Sequence, residues 1–121
     1  MNLGMIGSVA IGAAIGGTLR FMASVIIKSV PGKFPIATFI VNLAGSFILG
    51  LVIAYSLKHN MSTNLKLFWA AGICGGFTTF STFSLDALQL FQNGNFSIAS
   101  WYIALSLLGG LGMAWLGVKV I

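Results

Sequence analysis

The chain has 121 residues, of which 58% are hydrophobic and 6% are charged. This composition excludes a protein whose whole surface faces water and indicates an integral membrane protein. The formal net charge of +5 would suggest a nucleic-acid partner in a soluble chain. Here the lysines lie at the ends of apolar stretches, where their ammonium groups can reach lipid headgroups, so no nucleic-acid partner is predicted.

Apolar stretches long enough to cross a membrane occur four times, since a span needs about 20 mostly apolar residues. They lie at roughly 4–27, 36–57, 65–90 and 97–119. The connections between them are short and polar or contain Pro and Gly. We therefore predict one all-α membrane domain, residues 1–121, with four spans.

The first stretch combines small residues with one arginine. Ser8, Gly12 and Gly16 recur every four residues, and the second and fourth stretches repeat this spacing. Small residues at this interval let helix backbones approach closely, which predicts a compact bundle. Arg20 has two open interpretations, because its side chain can extend to the headgroups or can draw anions toward a vestibule.

Polar residues within the second and fourth stretches are also spaced four apart. Thr38 and Asn42 share one helical face, as do Tyr102 and Ser106. A polar side chain in hydrocarbon is costly and tends to face the protein interior or a water-filled path. Asn42 can therefore join two helices by hydrogen bonding, or it can donate to a ligand.

The third stretch contains the sequence GGFTTFSTFS at 75–84. In a continuous helix its phenylalanines and its hydroxyls would form two adjacent rows. Gly75 and Gly76 instead predict a break near Gly75–Thr79, and such a break frees carbonyls that a small cation could satisfy. Hydroxyls, amides and aromatic edges together suit a small anion that accepts hydrogen bonds. Bonding of the hydroxyls back to their own helix explains one or two of the five, but not all of them.

The basic residues balance between the two ends of a four-span bundle. Lys58, Lys66 and Lys119 fall at one end, and Arg20, Lys28 and Lys33 fall at the other. Such a chain has almost no positive-inside bias and could insert in both orientations, which allows an antiparallel dimer. A balance by chance in a small protein is an equal alternative.

Catalytic chemistry is not indicated. The chain has one acid, one loop histidine and one cysteine, with no visible set of nucleophile, base and orienting group. We predict no catalytic residues and no enzyme activity.

The chain resembles the Fluc (CrcB) fluoride channels over its whole length. The resemblance rests on the four spans and on three segments: GTLRF at 17–21, TFIVNLAGSF at 38–47 and GGFTTFSTFS at 75–84. It implies a dual-topology, antiparallel homodimer in the bacterial inner membrane, with two anion pores and a structural sodium ion at the dimer interface.

The resemblance also implies roles for individual residues. The sodium ion would bind the backbone carbonyls of Gly75 and Thr78, and Arg20 would contribute to vestibule electrostatics. The residues that would line the fluoride pathway are Asn42, Phe80, Phe83, Ser81, Thr82, Thr38, Tyr102 and Ser106. The family is expected to carry an acid after the third segment, usually Glu, where this chain has Asp86. From the residues alone, a structural pairing of Asp86, the only acid, with Arg20 or a lysine is the default expectation.

The resulting interpretation is a passive fluoride channel that exports cytoplasmic fluoride and reduces its toxicity. A proton-coupled exporter of the small multidrug type is the alternative, but it requires a glutamate in the first span, and that span contains no acid. A structural membrane subunit would explain the small residues but not the run of hydroxyls and rings.

Overall fold

The computed structural model describes all 121 residues and contains helices without strands, which confirms the all-α prediction. The helices are α1 (Leu3–Ile26), α2 (Ile36–His59), α3 (Thr63–Leu67), a π-helical segment (Phe68–Cys74), α4 (Gly75–Phe77), α5 (Phe80–Gln92) and α6 (Phe96–Val120). Three of them, α1, α2 and α6, are long and apolar enough to cross a membrane. The remaining segments, which together cover 63–92, form the third helical region.

Local sequence explains where several helices begin and end. The Asn2 side chain caps α1 by accepting the Met5 amide at 2.9 Å. Helix α2 ends at Asn60, whose φ of 51° lies in the left-handed region that asparagine tolerates. Gly32 and Gly94 have φ of 80° and 79°, so the connections after α1 and after α5 turn at residues without a β-carbon.

Glycines let α1 and the third helical region approach backbone to backbone. A β-carbon added at Gly12 would lie 2.4 Å from Phe68 O and 2.8 Å from Gly72 Cα. One added at Gly16 would lie 2.2 Å from Ile73 O. The spacing of small residues in α1 therefore corresponds to a close helix pair, as the sequence predicts.

Helices α2 and α6 form the second close pair. A β-carbon at Gly50 would lie 2.3 Å from Ala114 O, and one at Gly117 would lie 2.2 Å from Phe47 O. Only Gly fits at these two positions without moving a backbone. These two close helix pairs set the distances between the helices within the bundle.

The third helical region is interrupted at two threonines. Thr78 has φ −83° and ψ 157°, and Thr79 has φ −149° and ψ 121°, so both are extended between α4 and α5. Gly75 itself is helical, with φ −63° and ψ −36°. Gly75 and Gly76 therefore precede the extended residues. Gly76 allows α4 to pack closely on α1, since a β-carbon there would lie 2.7 Å from Ala13 O.

The termini and connections lie at the two ends of the bundle in the arrangement on which the count of basic residues at each end is based. At one end the Lys58 ammonium donates to the Ile121 carbonyl, and the N-terminal part of α1 lies beside Asn64. At the other end Asn95 Nδ2 lies 3.4 Å from Gly32 O. The termini and the connection after α2 therefore share one end, and the other two connections share the opposite end.

Replacement of Gly12 tests the close packing of α1. Gly12→Ala places a methyl group against two backbones, and such overpacking costs about 1–3 kcal/mol. That cost exceeds the roughly 0.5–1 kcal/mol that alanine contributes over glycine within a helix. We expect a lower unfolding temperature for the purified protein in detergent. Gly7→Ala is the control on the same helix, because a β-carbon there meets no atom within 4 Å. Equal unfolding temperatures for the two variants would contradict this packing.

Candidate functional site

Asn42 on α2 holds the extended residue Thr79 through two hydrogen bonds. Its Nδ2 donates to Thr79 O at 3.0 Å, and its Oδ1 accepts from Thr79 N at 2.8 Å. The side-chain amide thus pairs with both backbone groups of one residue, much as a neighbouring β-strand would. These contacts correspond to the first interpretation of Asn42, in which its side chain joins two helices by hydrogen bonding. The second Nδ2 proton makes no bond within the chain and can still donate to a ligand.

The carbonyls of Gly75 and Thr78 are among those that lose their usual helical partners at the interruption. In a continuous helix the Thr79 amide would donate to Gly75 O, but here it donates to Asn42 Oδ1. The Thr82 amide would donate to Thr78 O, but it donates to Thr79 Oγ1 at 3.1 Å and so caps α5. Gly75 and Thr78 therefore present backbone oxygens that can bind another donor or a cation.

Thr78 is fixed by its side chain from two directions. Its Oγ1 donates to Cys74 O at 2.8 Å, and its backbone N–H donates to the same oxygen at 3.0 Å. Its methyl group fills the space beside Gly45 of α2, where an added β-carbon would lie 2.2 Å from Thr78 Cγ2. The orientation of the Thr78 carbonyl is thus set by contacts on both sides of the residue.

A cavity of about 320 Å³ opens beside the interruption. Six of the predicted site residues line it: Asn42, Gly75, Thr78, Phe80, Phe83 and Ser106. Phe80 is 77% exposed in the single chain, and its ring centroid lies 5.9 Å from that of Phe83. Ser106 Oγ is buried and has no hydrogen-bond partner. The cavity therefore combines two phenylalanine rings with a hydroxyl that has no hydrogen-bond partner in the chain.

A second cavity of about 270 Å³ lies on the other side of Thr79, which borders both. Three further predicted site residues line it: Arg20, Thr38 and Thr82. Arg20 Nε donates to Gly76 O at 3.1 Å. The arginine is therefore half-buried, and its Nε–H contacts the third helical region.

Tyr102 and Ser81 line neither cavity. Tyr102 is fully buried, and its hydroxyl donates to Asp86 Oδ2 at 3.1 Å. The default expectation that Asp86 pairs with Arg20 or a lysine is therefore wrong, because its partner in this fold is a phenol. Ser81 is exposed, and its Oγ lies 3.3 Å from Thr79 Oγ1.

An aromatic chain connects the first cavity to the core. The Phe83 ring centroid lies 5.1 Å from that of Tyr102, and Tyr102 lies 5.3 Å from Phe34. Tyr102 also packs with Ala87, Leu90 and Ala99 in the buried cluster between α5 and α6. These contacts pack the Phe83 ring against the buried cluster.

Two residues of the site were missed by reasoning from the sequence. Thr79 provides the backbone groups for Asn42 and the cap of α5, and Gly45 receives the Thr78 methyl group. The spacing of Thr79 and Thr82 is compatible with a helix cap and could have indicated the first. Nothing in the sequence distinguishes Gly45 from the other small residues of α2.

A side-chain cluster for a metal is absent, since no three His, Cys, Asp or Glu residues converge anywhere in the chain. Any cation at this site would have to bind backbone or hydroxyl oxygen. The two carbonyls released at the interruption are oxygen donors of the kind that hard cations prefer.

The long apolar helices and the polar interruption between two cavities define a multi-pass membrane protein with a polar interior. The family model described as "CrcB-like protein, Camphor Resistance (CrcB)" matches residues 7–118. The chain belongs to this CrcB family, as the resemblance indicates.

Curated relatives are similar over almost the full length of both chains. A fluoride-specific ion channel FluC of Azobacteroides pseudotrichonymphae is 44% identical over 111 residues, which are 90% of this chain and 89% of the relative. One from Flavobacterium psychrophilum is 43% identical over 114 residues, or 93% and 92% of the two chains. One from Acinetobacter baumannii is 39% identical over 111 residues, or 92% and 88%. These relatives are named as ion channels, which confirms that the chain is not an enzyme.

Proposed function

We propose that the protein is a passive, fluoride-selective ion channel that exports cytoplasmic fluoride across the bacterial inner membrane. The observation that carries this proposal is the similarity to relatives named fluoride-specific ion channels, at up to 44% identity and with nearly complete coverage. The polar interruption between two cavities gives the proposal a physical basis. Fluoride is small and accepts hydrogen bonds strongly, so it needs donors in place of its hydration water.

The lining chemistry supports an anion more than a cation or a proton-coupled substrate. The free Nδ2 proton of Asn42 and the unpaired hydroxyl of Ser106 are donors at the first cavity, and the Phe80 and Phe83 rings can offer their positive edges. No acid lines either cavity. The small multidrug alternative is not favoured, because α1 has no glutamate for proton exchange.

We propose further that a structural sodium ion binds the carbonyls of Gly75 and Thr78. Both oxygens have lost their helical donors and both residues border the first cavity. Cations of this kind bind more than two oxygen ligands, so two carbonyls from one chain do not complete the site. A second copy of the chain would supply the remaining ligands. When bound, the ion would satisfy backbone groups that are costly to leave unpaired in a membrane.

An antiparallel homodimer is the assembly that we propose. Only 17 of the 121 residues are buried in the single chain, and the first cavity carries polar atoms that lipid cannot satisfy. The balance of three basic residues at each end permits insertion in both orientations.

Replacement of lining residues tests the fluoride pathway. Asn42→Asp removes both donors and places a negative charge opposite Thr79 O. A buried acceptor that loses its donor costs about 1–3 kcal/mol, so we expect fluoride efflux to fall about tenfold or more in Asn42→Asp.

Phe80→Ile tests the aromatic part of the lining. It removes an exposed ring and should slow efflux while the dimer still assembles. Efflux from liposomes is followed with a fluoride electrode, with Asn93→Asp as the control, because that exposed side chain makes no hydrogen bond. A wild-type protein that passes no fluoride would refute the proposed function, and wild-type rates in the two variants would remove these residues from the pathway.

Sodium binding is tested by its effect on unfolding. A ligand present at 100 times its Kd stabilises the folded state by about 2.7 kcal/mol. The unfolding temperature of the purified protein should therefore rise when sodium replaces N-methylglucamine. Thr78→Ser should keep this rise, because it changes no carbonyl and retains the hydroxyl that bonds Cys74 O. Gly75→Val should abolish it, because the branched side chain would project beside the carbonyl where a second copy completes the proposed site; in the single chain a β-carbon there meets nothing closer than 3.8 Å. The same sodium response in Gly75→Val would contradict the proposed ligands.

Orientation is tested by biasing the charge. Three lysines added near the C-terminus should hold that end in the cytoplasm, since positive loops favour that side. The biased chain expressed alone should then lose fluoride efflux, and co-expression with a chain that carries added lysines in 91–96 should restore it. Labelling of terminal cysteines in a Cys74→Ala background reports orientation. Labelling of wild-type termini from one side only, or full activity of the biased chain alone, would replace the antiparallel dimer with a parallel one.

A further inference from the structure

We propose that Arg20 is a positioning residue whose Nε–H holds the Gly76 carbonyl and thereby fixes the end of α4 at the interruption. Its part in fluoride flux rests on the proposed function, whereas the hydrogen bond itself does not. In this role Arg20 acts through the geometry of its Nε–H group, separately from the charge that it contributes to the second cavity.

The close packing of α4 on α1 is what lets Arg20 reach this carbonyl. A β-carbon at Gly76 would lie 2.7 Å from Ala13 O and 3.1 Å from Gly17 N, so the two backbones are in contact. Arg20 follows Gly16 by one helical turn and therefore projects from the same side of α1. Its Nε lies 3.1 Å from Gly76 O, and its terminal nitrogens make no hydrogen bond with the chain.

The Gly76 carbonyl needs a partner from another helix. In a continuous helix its donor would be the amide of Phe80, but Phe80 lies beyond the two extended threonines. A carbonyl left without a donor inside a membrane costs several kcal/mol. A donor that carries positive charge makes a stronger hydrogen bond than a neutral one.

This contact also determines which carbonyls remain available. Gly75, Gly76, Phe77 and Thr78 all have their helical donors removed or displaced by the interruption. Arg20 occupies Gly76 O, and Asn42 occupies Thr79 O. Arg20 thus removes Gly76 O from the carbonyls that the interruption opens, while the proposed cation ligands, Gly75 O and Thr78 O, make no contact with it.

Glutamine and lysine separate the hydrogen bond from the charge. Counted along the side chain, Nε2 of glutamine occupies the position of Nε in arginine, so Arg20→Gln keeps a donor there and removes the charge. Arg20→Lys keeps the charge but puts a methylene at that position and an ammonium one bond further on. Lys28→Gln is the matched control, because it removes one positive charge from the same end of the bundle, and Lys28 is exposed and makes no hydrogen bond.

Hydrogen–deuterium exchange measured by mass spectrometry on the purified full-length protein gives a readout independent of fluoride. Amides in 74–82 should exchange about tenfold or more faster in Arg20→Lys than in wild type, because an interhelical hydrogen bond to a charged donor is lost. Arg20→Gln should exchange more slowly than Arg20→Lys, and Lys28→Gln should match wild type. Equal exchange in the glutamine and lysine variants, or faster exchange in Arg20→Gln, would overturn the proposal.

Fluoride efflux from liposomes then separates this proposal from the proposed function. Efflux should be faster with Arg20→Gln than with Arg20→Lys at equal dimer content. The reverse order would show that the charge governs flux and would overturn the positioning role. A wild-type protein without fluoride efflux would defeat the proposed function, and the order of the exchange rates would then decide the positioning role alone.

Discussion

The pair of hydrogen bonds between Asn42 and Thr79 is the interaction on which the rest of the site depends. An interruption within a membrane helix releases amides and carbonyls that hydrocarbon cannot satisfy. The Asn42 amide satisfies both backbone groups of Thr79 and keeps that residue extended. Because the Thr79 amide is then unavailable to Gly75 O, the same pair also creates an open carbonyl at the first cavity.

Close helix packing brings the side chains of α1 and α2 to the interruption. Gly12 and Gly16 let α1 contact the third helical region, and Arg20 reaches Gly76 O from the next turn. On α2, Gly45 lies one turn after Asn42 and receives the Thr78 methyl group. The small residues thus do more than shorten interhelical distances, since they place the polar side chains that hold Thr78 and Thr79.

The sequence predicts the all-α fold, the close packing of α1 and the residues around the first cavity, for identifiable reasons. Hydropathy and length locate the long helices. The third helical region has more hydroxyls than hydrogen bonds back to its own helix would explain, which points to a polar interior. Asn42, Phe80, Phe83 and Ser106 do border one cavity. These predictions depend on local composition and on residues that share a helical face.

Other features depend on contacts between distant residues and could not be predicted. The sequence predicts a break near Gly75–Thr79, but it does not indicate that Gly76 packs on α1 or that the extended residues are Thr78 and Thr79. Asp86 was expected to pair with a basic residue, whereas its partner is the Tyr102 hydroxyl. Arg20 was assigned by its charge, yet its contact with Gly76 O is defined by one nitrogen. Each of these outcomes depends on how two helices dock, and no residue spacing within one helix encodes it.

Solid-state NMR of the protein in bilayers tests the central claim most directly, through the backbone chemical shifts of residues 76–82. The account predicts shifts of extended backbone at Thr78 and Thr79 and helical shifts at Gly76 and Ser81 on either side. It also predicts that Asn42→Leu, which cannot bond to Thr79, shifts the Thr79 amide more than any other backbone amide of the third helical region. Helical shifts throughout 76–82 in the wild-type protein would contradict the account.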